Sequence, residues 1–105
     1  KKLNSDMVFD LVLLGLGEDA HTASIFPNSK FDENKQAVPI SNAPKPPENR
    51  ISLTPHRLSM ANFVIFLVTG KDKKNALDKF KSAENIPASR ISAIKKLTVL
   101  ISDVN

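Results

Sequence analysis

An open α/β domain built on a parallel sheet is the fold class that these 105 residues predict, and three patterns predict it. Two apolar runs, from Val8 to Leu14 and from Phe63 to Thr69, are short, hardly alternate and are each stopped by a glycine. Strands of that kind are buried on both faces, as in a parallel sheet. An amphipathic segment follows the second run and a third apolar run, Leu97 to Ile101, closes the series. Strand, helix, strand in that order is the signature of a βαβ unit. The length allows one domain, residues 1–105, with a modest core.

Each element has its own justification. Lys1 to Met7 is polar and reads as a lead-in to the first strand. Gly15 and Gly17 then permit backbone angles that side chains forbid, so the chain can turn sharply. Thr22 to Phe26 is expected to form a short helical turn, ended by Pro27 and Asn28. Residues 28–49 carry four prolines and little periodicity, which predicts a long surface excursion with one extended piece at Val38 to Ile40. Arg50 to Thr54 alternates and reads as a strand, and Pro55 suits the first turn of a helix running to Ala61. Asp72 to Ser82 places Ala76, Leu77 and Phe80 on one face and lysines on the other, as a surface helix requires. Pro87 to Ile94 reads as a further helix or a turn of one, with Ile91 and Ile94 inward.

Composition narrows the function. Hydrophobic content of 41% and charged content of 25% are those of an ordinary globular protein. No apolar run approaches the ~20 residues that span a bilayer, and no signal peptide opens the chain, so no membrane partner is expected. The absence of cysteine excludes disulfides and thiolate metal sites and fits a cytoplasmic protein. The net charge of +4 suits an anionic partner or a solvated lysine-rich surface. Nucleic acid is not expected, because the lysines are scattered and no Tyr or Trp is interleaved with them.

The chemistry concentrates after the first strand. Ligands of open α/β sheets bind outside the carboxyl ends of the strands. There the chain delivers Glu18, Asp19 and His21, with Thr22 and Ser24 just beyond. An imidazole can take a proton from water near neutral pH, and a carboxylate on its other nitrogen fixes the tautomer and stabilises the cation. Asp19 and Glu18 are both candidates for that supporting role. The competing reading makes Asp19 a helix cap and His21 a surface residue. No G-x-S-x-G surrounds Ser24, and G-L-G-E-D-A lacks both the third glycine of a dinucleotide fingerprint and the lysine of a P-loop. One histidine and two carboxylates in tight sequence are too few for a metal, so no metal or other cofactor is expected. Lys73 falls in the first helical turn after the Phe63 strand, where a cation suits a bound anion better than it suits the helix. Simple solvation of Lys71, Lys73 and Lys74 is the rival reading. Arg50 opens a strand at a similar point.

The stretch F-D-L-V-L-L-G-L-G-E-D-A-H-T-A-S-I-F-P resembles the signature of the 6-phosphogluconolactonases. P-K-P-P-E-N-R-I-S-L-T at 44–54, F-V-I-F-L-V-T-G-K-D-K at 63–73 and I-P-A-S-R at 86–90 agree with it in order. The resemblance covers nearly the whole chain but only the C-terminal half of such an enzyme. It implies a Rossmann-like parallel sheet flanked by helices and, for this chain, an incomplete portion of it with an exposed edge open to self-association. It further implies metal-free hydrolysis of 6-phospho-D-glucono-1,5-lactone to 6-phosphogluconate in the pentose phosphate pathway. His21 would activate water, Asp19 would support it, and Arg50 and Lys73 would hold the phosphate and hydroxyls; Gly15, Gly17 and Glu18 would shape the loop. The family pattern has glycine where this chain has Ala20, so a positive φ there would strain the loop. A glucosamine-6-phosphate deaminase-like enzyme would want an acidic residue in place of Phe26. A non-catalytic sugar-phosphate-binding domain would have no need of the intact E-D-A-H.

Overall fold

The computed structural model describes residues 7–104; most of the expected polar lead-in lies outside them. Strands β1 (Phe9–Gly15), β4 (Ala61–Thr69) and β5 (Lys96–Ser102) form a parallel sheet in the order β1-β4-β5. Leu11 pairs with Phe63 and Val64 with Leu97, so all three carboxyl ends lie at one edge. Strands β2 (Ala37–Ile40) and β3 (Arg50–Leu53) pair antiparallel as a separate ribbon within the region expected to be an excursion and a strand. Helix α1 spans Pro55–Leu58 and α2 spans Lys74–Lys81, with 3₁₀ turns at Lys71–Lys73 and Pro87–Arg90.

The sheet is covered on one face. Val12, Leu14, Val64, Phe66 and Val68 pack against Leu58, Ala76, Leu77, Ile86, Ala88 and Ile91. The opposite face carries Leu11, Leu13, Phe63, Leu67 and Leu100, each about half exposed. The expectation of strands buried on both faces therefore fails for this chain: β1 and β4 alternate in burial because helices flank only one side. A second, smaller core joins Ile25 and Phe26 to Val38, Ile40 and Ala43. It ties the segment after β1 to the β2–β3 ribbon.

Local chemistry corrects four further expectations. Thr22 to Phe26 is not helical: Ala23 has φ +51° and Thr22 bridges Ile25, a tight turn. Helix α1 stops at Leu58, because the Ser59 hydroxyl bonds the Pro55 carbonyl and the Met60 N–H bonds that of Arg57. The α2 region enters through 3₁₀ geometry after Gly70, whose φ of +102° suits glycine alone. Beyond Arg90 the chain is extended, with Ile91 buried but Ile94 pointing out.

Arg57 is buried completely on α1. Its Nη1 donates to the Met7 carbonyl at 2.7 Å and its guanidinium lies 4.2 Å over the Phe9 ring. Its Nε and Nη2 have no hydrogen-bond partner.

Candidate active site

The loop that leaves β1 is held by its own short-range bonds. Gly17 N–H donates to the His21 carbonyl at 2.8 Å and Ala20 N–H to the Gly17 carbonyl at 2.9 Å. Closing so tight a loop puts Ala20 at φ +73°, in the region glycine prefers. Buried Thr22 anchors the far end, its hydroxyl donating to the Gly15 carbonyl at 2.8 Å.

Asp19 and His21 meet within this loop. The Asp19 Oδ1 accepts from the His21 backbone N–H at 3.0 Å and lies 2.6 Å from His21 Nδ1. One carboxylate oxygen therefore fixes both the backbone and the ring of the histidine, and Nε2 is the nitrogen left for chemistry. Partial burial works against the Asp19 charge. The bonds from the His21 backbone and side chain, and the charge of that ring, outweigh it and hold the carboxyl below its usual range.

Gly17 is required for space rather than for angle. Its φ is not positive, but a Cβ there would sit 2.1 Å from His21 Nδ1 and 2.2 Å from Cε1. Gly15 also has an ordinary φ, and a Cβ on it would meet nothing. It leaves bare backbone at the end of β1. Neither glycine serves by granting forbidden angles; Gly17 instead gives room to the imidazole, while Gly15 stands in open space.

A cavity of about 470 Å³ opens at the strand ends and is lined by Gly15, Gly17, His21, Thr22, Thr69 and Lys73, among others. Lys73 is half-buried and precedes α2, which has no side-chain cap at its N-terminus. A cation just ahead of the helix thus faces the same space as His21. Glu18 is exposed and lines a smaller cavity of about 140 Å³ with Asp19, His21, Phe26, Pro44 and Lys45.

Arg50 lies elsewhere. Its Nε donates to the Pro47 carbonyl at 3.0 Å, and its Nη2 to those of Lys45 and Pro46 at 2.9 and 3.4 Å. Its guanidinium stands 5.2 Å over the Phe26 ring, which in turn lies 4.7 Å from the His21 ring. The structure thus unites His21, Asp19, Gly15, Gly17 and Lys73 and sets Arg50 behind Phe26. Phe26 was not read as a site residue from sequence; only its place just after the histidine could have marked it. Among the described residues no three His, Cys, Asp or Glu side chains gather to hold a metal ion.

The glucosamine-6-phosphate isomerase/6-phosphogluconolactonase family model matches residues 1–100. The chain belongs to this family. Human 6-phosphogluconolactonase is 43% identical over 74 residues, which are 69% of this chain and 29% of the human protein. That of Aggregatibacter actinomycetemcomitans is 40% identical over 99 residues, 90% of this chain and 42% of that protein. The crystal structure of 6-phosphogluconolactonase from Thermotoga maritima superposes with a TM-score of 0.78 at 31% identity, covering 90% of this chain and 44% of that one. The family fold, a parallel sheet flanked by helices, is therefore the fold seen here, and the chain spans between 29% and 44% of these relatives' length.

Proposed function

We propose that the protein containing this chain hydrolyses 6-phospho-D-glucono-1,5-lactone to 6-phosphogluconate, a step of the pentose phosphate pathway. The observation that carries this reading is the His21–Asp19 pair beside Lys73 at one cavity of the sheet edge. His21 Nε2 takes a proton from water as the hydroxide adds to the lactone carbonyl carbon. The tetrahedral intermediate then expels the ring oxygen, which leaves with the proton returned by the imidazolium. Asp19 holds Nδ1–H and balances the imidazolium between the two steps. Lys73 supplies the phosphate with a point charge, while bare backbone at Gly15 lets the substrate approach. No metal enters this scheme. We assign a cytoplasmic setting with it, since a phosphorylated sugar stays on the side of a membrane where it is made.

Support comes also from the names of the relatives, all read across a part of their length. The test is lactone hydrolysis by the full-length protein. His21→Ala is expected to lower kcat by about 10²–10⁴-fold with little change in KM. Lys73→Ala is expected chiefly to raise KM for the phosphorylated lactone and to spare an unphosphorylated one. Equal turnover by wild type and His21→Ala refutes the proposed base.

The chain by itself is proposed to self-associate. The support is the row of Leu11, Leu13, Phe63, Leu67 and Leu100 on the uncovered sheet face, next to the edge of β1. Light scattering on the 105-residue chain tests this, with Leu13→Lys expected to reduce the associated fraction.

A further inference from the structure

From His21 a chain of ring contacts leads through Phe26 to an arginine that does not line the cavity. Arg50 opens β3 opposite Ile40 and closes the 45–47 segment by bonding three successive carbonyls. A planar guanidinium can span such a set; an ammonium on a flexible stem cannot. No carboxylate among the described residues forms an ion pair with Arg50, so its charge rests on carbonyl dipoles and on the face of Phe26. Phe26 is buried in the second core with Ile25, Val38, Ile40 and Ala43, which fixes where its ring can be. That ring meets the imidazole at 37°. Asp19 bonds the imidazole at Nδ1, and the Phe26 ring packs on it as a second contact.

We infer that Arg50 is a positioning residue: by clamping the Lys45–Pro47 segment and stacking on Phe26, it sets the plane of the His21 ring. The inference rests on the lactonase reading for its kinetic consequence but not for its geometry. Arg50 serves the reaction without touching the phosphate. The same stack accounts for an aromatic residue at position 26, since an aliphatic side chain offers no π-face to the cation.

The test uses Arg50→Lys, Phe26→Leu and the double variant in the full-length protein, with folding checked by circular dichroism. Arg50→Lys keeps the charge and loses the fork. A misplacement of ~1 Å can cost ~10²-fold, so each single variant is expected to lower kcat by at least about tenfold. The loss should be equal for phosphorylated and unphosphorylated lactone, with KM for the phosphorylated one unchanged. The double variant should be no worse than the poorer single one, because both act through one stack. The His21 Cε1–H resonance should shift in Arg50→Lys, as a change of ring-current geometry requires. A selective rise in KM for the phosphorylated lactone in Arg50→Lys overturns the inference and makes Arg50 a phosphate ligand. Multiplying losses in the double variant, or an unmoved His21 resonance, also overturn it. If wild type hydrolyses neither lactone, the lactonase reading fails, and the resonance alone decides for or against Arg50.

Discussion

Ala20 stands at φ +73° between the two residues of the proposed dyad, so Ala20→Gly probes the loop directly. Three effects compete. A left-handed conformation costs an alanine about 1–2 kcal/mol, which glycine would recover. Glycine in turn loses more chain entropy on folding, about 0.5–1 kcal/mol. Ala20 is also only 1% exposed and belongs to the main core, so its methyl contributes about 0.8 kcal/mol by burial. The three nearly cancel, and Ala20→Gly is expected to change stability by no more than about 1 kcal/mol in either direction. Urea unfolding of the full-length protein, followed by circular dichroism, measures this. Ala20→Val serves as the contrast, because a β-branched side chain at that φ is strained and overpacks the site; it should lose at least about 2 kcal/mol. Turnover of Ala20→Gly should stay close to wild type, since both Asp19–His21 bonds form with alanine in place. A gain above about 2 kcal/mol would refute the packing argument, because strain would then exceed what the buried methyl offsets.

Gly17→Ala is expected to keep the fold but lower kcat by about 10²-fold, because the new methyl occupies the place of the imidazole; thermal melting beside steady-state kinetics separates the two. Asp19 has a folded-state pKa below its unfolded value, so its contribution to stability is complete above the unfolded pKa and lost as pH falls through the folded one. The melting-temperature difference between wild type and Asp19→Asn should thus be constant from neutrality to about pH 4 and close only in stronger acid, as scanning calorimetry across pH can check. Arg57→Met should hold or raise stability by about 1 kcal/mol, since it removes a buried charge with two unsatisfied nitrogens; a loss of several kcal/mol in urea unfolding would contradict that.

The three parallel strands could be read from sequence because their apolar runs were dense and bounded by glycine or by lysine-rich segments. Their one-sided burial could not, since a continuous apolar run looks the same whether one face or both are covered. The turn at Thr22 to Ile25 was missed because it depends on an alanine at positive φ, which composition does not signal. Asp19 and His21 were visible as a pair, since two residues' separation in a tight loop brings carboxylate to ring. Lys73 could be placed because Gly70 and the β4 run fixed its position at a strand end. Arg50 could be recognised but not located: its partners are carbonyls of neighbouring prolines and the ring of Phe26, and carbonyls leave no trace in a sequence.

The pairing of β1 with β4 has a consequence in time. Leu11 and Phe63 are separated along the chain by the whole β2–β3 ribbon and α1. Contacts so distant along the chain form late, because loop closure must precede any return from the pairing. The ribbon, whose strands are near neighbours, and α2 can form beforehand. The cavity shared by His21 and Lys73 needs β1 and β4 side by side. During refolding, recovery of turnover should therefore lag behind helical signal and coincide with closure of the sheet.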